Sequence, residues 1–168
     1  DNGSNYDVAK VVKTYENKLS IRLNKNKVNI GYQPNLLKVI SIAKGEYVWA
    51  IGDDDLLVPD SLKKIEKLLA DNRDVDFFYI NSYLLDYSYL NKFEKPFDTK
   101  NLPNNMEKLS KRKISQKLHF WDLIDHKVSF DFLLGNFLNI FKRKMWLDNV
   151  SCLNETLLKD NRVWSNFD

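Results

Sequence analysis

The sequence predicts an α/β fold, a sheet whose strands are linked by crossover helices, and three observations carry that expectation. Helical and strand patterns alternate along the first half of the chain. Residues 47–51 are almost wholly apolar, as a strand buried on both faces requires. Three carboxylates, Asp53, Asp54 and Asp55, follow that run at once. They therefore fall at the carboxyl end of a strand, where open α/β sheets bind their ligands.

Taken in order, the opening DNGSNYD is a turn, since Asn2, Gly3, Ser4 and Asn5 all favour loops. A helix over residues 8–17 follows, with Val8, Val11, Val12 and Tyr15 on one face and Asp7 as its N-cap. KLSIRLN alternates Leu19, Ile21 and Leu23 with polar residues and reads as a half-buried strand. KNKVNIGYQ is a loop. A second helix covers residues 34–43, with Pro34 in its first turn and Leu36, Leu37, Ile40 and Ala43 inward. After the strand at 47–51, Pro59 and Asp60 start a third helix with Leu62, Ile65, Leu68 and Leu69 as its inner stripe. VDFFYINSYLL, residues 75–85, is another strand, so the alternation predicts a parallel sheet.

Beyond residue 86 the pattern weakens. Residues 87–117 are rich in Asn, Lys, Ser and Pro and read as a long loop with one short helix. Lys108, Lys111, Arg112, Lys113 and Lys117 cluster there. They form either a solvated face or a surface for anionic membrane or phosphate groups. Order returns with a helix near residues 120–125 and the apolar, aromatic FDFLLGNFLNIFKRKMW. Trp121, Trp146 and Trp164 suit either a core or the face of a sugar ring.

Composition bounds the function. The chain has 168 residues, 43% hydrophobic and 29% charged, which is ordinary for a folded domain. A net charge of +3 lacks the basic excess of a nucleic-acid binder. The single cysteine, Cys152, allows no internal disulfide, which fits a reducing compartment. No apolar run approaches the roughly 18–20 residues that cross a bilayer, and no secretory leader is visible. The expected location is cytoplasmic, with peripheral contact at the inner face of the cytoplasmic membrane.

The acidic triplet needs compensation, and hard oxygen donors at a strand end suit Mg²⁺ or Mn²⁺ shared with substrate phosphates. The bland alternative is a helix-start turn with solvated acids. An EF-hand is excluded: with Asp53 as position 1, Val58 and Lys64 stand where Gly and Glu are required. Neither a P-loop nor a GxGxxG fingerprint occurs.

As an ordered set, DNGS at residues 1–4, Asn29 to Gly31, Asn35, the Ala43 to Tyr47 segment, Asp53 to Asp55 and Pro59 resembles the nucleotide-binding half of family 2 glycosyltransferases. The likeness covers residues 1 to about 70, and FLLGNFLNIFKRKMW more loosely resembles the acceptor side of bacterial members that build surface polysaccharides. It implies the GT-A fold, a Rossmann-like sheet flanked by helices. Residues 1–86 would be the nucleotide-sugar part and 87–168 the acceptor-side part of one domain. It implies that Asp1, Asn2, Asn35, Asp53 and Asp54 lie along the nucleotide. Asp53 would sit near the ribose, and Asp53 and Asp55 would hold the metal, with Asp54 assisting. The implied reaction is transfer from a nucleotide-sugar donor to a surface-glycan or lipid-linked glycan acceptor, usually with inversion. A carboxylate then acts as base on the acceptor hydroxyl, and Asp160 and Asp168 are the candidates.

Two departures qualify the resemblance. The usual first β-α-β unit, about 30–40 residues, does not precede DNGS, so the chain is expected to be a fragment. No Glu-Asp pair occurs on the acceptor side. Two other readings stay open: a nucleotidyltransferase acting on sugar phosphates, although its Gly-rich, Lys-bearing phosphate loop is lacking, and a nucleotide-sugar-binding module without turnover.

Overall fold

The structure, a computed structural model, describes residues 1–124 and 135–152. The chain divides into two compact units, Gly45–Trp146 and the pair Asp1–Lys44 with Leu147–Asp168.

In the unit holding the N-terminal segment, helix α1 (Val8–Lys13) starts at Asp7, whose carboxylate accepts from the Lys10 amide. That is the expected N-cap, satisfying a donor the first turn leaves free. Helix α2 (Tyr32–Ile42) opens at Gly31, which adopts φ +87°, a conformation glycine reaches without strain. The strand expected from KLSIRLN does not form. Leu19, Ile21 and Leu23 are exposed, and no ladder pairs with the segment among the described residues. Alternation alone cannot make a strand, because an extended backbone must also find a partner for its N–H and C=O groups.

The Gly45–Trp146 unit is built on three strands, β1 (Tyr47–Trp49), β2 (Phe77–Tyr79) and β3 (Asn139–Lys142), in the order β1-β3-β2. Helix α3 (Ser61–Asp71) links β1 to β2. Both pairings with β3 are antiparallel. So β1 and β2 do run in the same direction, as a crossover helix dictates, but they are not neighbours. This corrects the expected parallel pairing: β3 arrives from about sixty residues further on, and fills the gap between them.

Register sorts the side chains. Ile140 lies opposite both Trp49 and Phe78, and Phe141 opposite both Val48 and Phe77. Ile140, Phe78 and Ile65 of α3 form the buried cluster, flanked by Tyr47, Trp49, Leu68 and Leu69. Leu62 does not join this stripe and is 54% exposed. On the opposite face the Phe77 ring meets Phe120 edge-on at 6.1 Å, and Phe141 meets Trp146 at 6.5 Å. The sheet is thus covered on both sides, as the apolar run at 47–51 implies.

After β2, Leu84 donates to the Glu107 carbonyl and Leu109 to that of Ser82, a short antiparallel contact around the Tyr83–Lys108 bridge. The loop between them holds the short helix α4 (Tyr87–Leu90) and a 3₁₀ turn, Thr99–Asn101. The helix expected near residues 120–125 is a 3₁₀ turn, Phe120–Leu123. Past β3 the chain enters helix α5 (Arg143–Asn149). No helix among the described residues is long and apolar enough to cross a membrane.

Candidate functional site

The DNGS turn is held by a web of carboxamides. Asn2 donates through Nδ2 to Asn29 Oδ1 at 2.9 Å and to the Gly31 carbonyl at 3.1 Å. Its Oδ1 accepts from Asn26 Nδ2 at 2.9 Å and from the Ile30 amide at 3.1 Å. An asparagine side chain offers two donors and two acceptor positions, so all four are occupied inside the fold. Asn26 is 5% exposed and also donates to Asn35 Oδ1 at 3.0 Å, while Lys38 Nζ donates to Asn26 Oδ1. Asn2 and Asn35 are thereby joined through one buried residue.

Asp1 sits on this web. Its Oδ1 accepts from the Ser4 amide at 2.9 Å, closing the turn. The side chain is wholly buried, and Oδ2 has no hydrogen-bond partner among the described residues. Lys25 Nζ approaches that oxygen at 3.6 Å. A buried carboxylate oxygen without a donor is costly, and such an atom in a native fold asks for a ligand or water.

In the Gly45–Trp146 unit the acidic triplet lies between β1 and α3. Asp53 and Asp54 are exposed and Asp55 is half-buried. Asp55 Oδ2 accepts from the Gly52 amide at 2.6 Å. A Cβ on Gly52 would collide with a carboxylate oxygen of Asp54 and crowd one of Asp55, so both acids fold back over that glycine. Asp60, with φ +61°, turns the chain into α3 without a side-chain cap.

These acids rim a cavity of about 870 Å³. Its walls come from Ser61 and Lys64 of α3, the segment that follows β2 from Ile80 to Leu85, and Tyr87, Phe97 and Met106 of the following loop. Trp49 Nε1 donates to the Phe137 carbonyl at 2.7 Å, tying β1 to the turn before β3 along the same cavity. The Ser61 hydroxyl is buried without a hydrogen-bond partner among the described residues. The lining is mostly apolar with a few polar groups, the make-up of a small-molecule site.

Among the described residues no three His, Cys, Asp or Glu side chains assemble into a ready metal cage. The donor set nonetheless fits a magnesium-type ion, which takes one or two carboxylates and completes its shell with phosphate oxygens and water.

The profile of glycosyl transferase family 2 matches residues 1–130. The chain belongs to that family. With family 2 comes the GT-A fold, and the β1–α3–β2 unit with its acidic loop is consistent with it. The chain is 27% identical over 155 residues to the uncharacterized glycosyltransferase MJ1057 of Methanocaldococcus jannaschii, covering 84% of this chain and 53% of that protein. It is 31% identical over 77 residues to the abequosyltransferase RfbV of Salmonella typhimurium, covering 45% of this chain and 23% of the relative. The chain thus spans about half the length of the first relative and about a quarter of the second. No solved structure matches it.

Of the residues singled out from sequence, Asp1, Asn2 and Asn35 come together in one unit and Asp53, Asp54 and Asp55 in the other. Asp160 and Asp168 lie outside the described residues, as does Trp164. The sequence reading missed Asn26, Lys38 and Ser61. For Asn26 a signal existed, its place three residues before Asn29 in NKNKVN, but Asn in a loop reads first as a turn former.

Proposed function

We propose that this chain carries the donor-binding part of a glycosyltransferase that moves a sugar from a nucleotide-activated donor to a surface-glycan acceptor. The observation that carries this reading is the acidic loop at the rim of a cavity large enough for a small-molecule ligand, in a chain of family 2. The likeness to an abequosyltransferase adds support for glycosyl transfer over the nucleotidyl alternative.

Each residue has a role in this reading. Asp1, whose Oδ1 closes the turn, is the residue this reading assigns to the nucleobase. Asn2 and Asn35, locked through Asn26, hold the turn on which the nucleoside lies. Asp53 and Asp54, exposed on the loop, would contact the ribose and diphosphate, and Asp53 and Asp55 would hold Mg²⁺ or Mn²⁺. When bound, the ion neutralises charge on the departing diphosphate. Asp160 or Asp168 accepts the proton of the acceptor hydroxyl as it attacks with inversion. The acceptor is a glycan or lipid-linked glycan at the cytoplasmic face of the membrane.

The test is a panel of UDP-, GDP-, CDP- and dTDP-sugars, scored by thermal stabilisation with and without Mn²⁺. A true donor raises the melting temperature by mass action. Asp55→Asn keeps an acceptor for the Gly52 amide but removes the charge, so it should abolish the Mn²⁺-dependent part of the shift. A panel without any stabilising donor, or an Asp55→Asn variant that keeps the manganese effect, overturns the reading.

A further inference from the structure

The five basic residues at 108–117 divide into two groups in the structure. Arg112 and Lys117 already have partners: Arg112 donates to the Leu123 carbonyl at 2.7 Å, and Lys117 pairs with Asp74 at the surface at 3.0 Å. Lys108, Lys111 and Lys113 are exposed, and no carboxylate pairs with them among the described residues.

The same segment is a clasped loop. At its root Asn81 Nδ2 donates to the Ser110 carbonyl and the Ser110 amide donates back to Asn81 Oδ1, both at 3.0 Å. Arg112 ties its two limbs across eleven residues. Phe120 packs on Phe77 of β2 and carries Trp121 against its own edge at 5.5 Å. Yet Ile114 is 73% exposed and Trp121 75% exposed. They are the two most exposed large apolar side chains among the described residues, and both lie on this tethered, basic loop. Residues 108–124 carry five Lys or Arg against the single acid Asp122.

We infer that this loop docks the protein on an anionic lipid surface. Trp121 and Ile114 enter the headgroup boundary, and Lys108, Lys111 and Lys113 meet the lipid phosphates. Charge complementarity selects the occupant: an exposed tryptophan on the same loop as three exposed lysines without a carboxylate partner among the described residues is the pattern of an interfacial anchor, apolar side chain inward and cations in the phosphate layer. An apolar group and a basic patch together are the two signals that stable membrane anchoring takes. Asn81, at the loop's root, also lines the cavity, so docking would hold the cavity close to the bilayer, where lipid-linked molecules are presented. The docking itself does not depend on glycosyl transfer.

Sedimentation of the full chain with vesicles tests it. Binding is expected to vesicles of phosphatidylcholine mixed with phosphatidylglycerol, and to fall sharply in high salt or with phosphatidylcholine alone. Lys111→Gln with Lys113→Gln should weaken it about tenfold or more. Trp121→Ser with Ile114→Ser should do so too, with the melting temperature unchanged because all four positions are exposed. Asp55→Asn should bind vesicles like the wild type, which separates this surface from the donor site. Absence of vesicle binding, or equal binding by every variant, overturns the inference. So does a wild-type dimer that Trp121→Ser converts to monomer without any lipid effect, which would make the loop a contact between copies.

Discussion

Gly3 shows how much one position in the DNGS turn carries. It adopts φ +79°, and a Cβ there would stand 2.6 Å from the Val28 carbonyl carbon and 2.7 Å from the Asn29 nitrogen. Both neighbours are backbone and cannot swing aside. Gly3→Ala should therefore cost about 1–3 kcal/mol from the left-handed conformation alone, with the steric clash added. The check is a melting curve: a fall of several degrees for Gly3→Ala, and little change for Ser4→Ala, which keeps the amide that Asp1 accepts. An unchanged Gly3→Ala would mean the turn is not the rigid platform described. At this scale the acids were legible because three adjacent carboxylates demand an explanation. Asn26 was not, because nothing local distinguishes a buried carboxamide from a solvated one.

Among the elements, β1, α3 and β2 could be read from their patterns, and β3 could not. Its residues sit in a longer apolar and aromatic run, FLLGNFLNIFKRKMW, that shows neither clean alternation nor a clean helical stripe. Yet β3 is the central strand, and Ile140 within it is 1% exposed between Trp49 and Phe78. Ile140→Ala should destabilise by about 2–5 kcal/mol, measured by denaturant titration. Leu62→Ala on the exposed side of α3 should cost far less. Equal costs would refute the assignment of the core. The KLSIRLN segment errs the opposite way, with good alternation and no paired strand among the described residues.

For the whole molecule, the ion pair between Lys117 and Asp74 spans 43 positions and fastens the basic loop beside the start of β2. The hydrogen bond from Lys117 holds the Asp74 carboxyl below the usual aspartate range. A depressed folded-state pKa means the contribution is present above the pH where an unfolded aspartate titrates, near about 4. It is lost as the pH falls through the lower folded value. The difference in melting temperature between wild type and Asp74→Asn should thus be present at neutral pH and vanish in acid. A difference that stays constant into acid would show the pair contributes through packing instead of charge.

By itself the sequence determined β1, α3 and β2 in their order, the shared direction of β1 and β2, and the acidic loop at the end of β1. It also carried the family resemblance that the family match upholds. Those features depend on residues a few positions apart, where side-chain period and turn chemistry report directly. Tertiary structure decided which strand lies between β1 and β2, which carboxamide locks the DNGS turn, and which cations remain unpaired. Each of these depends on partners tens of residues away, and a local pattern holds no record of the partner a backbone or a charge will meet.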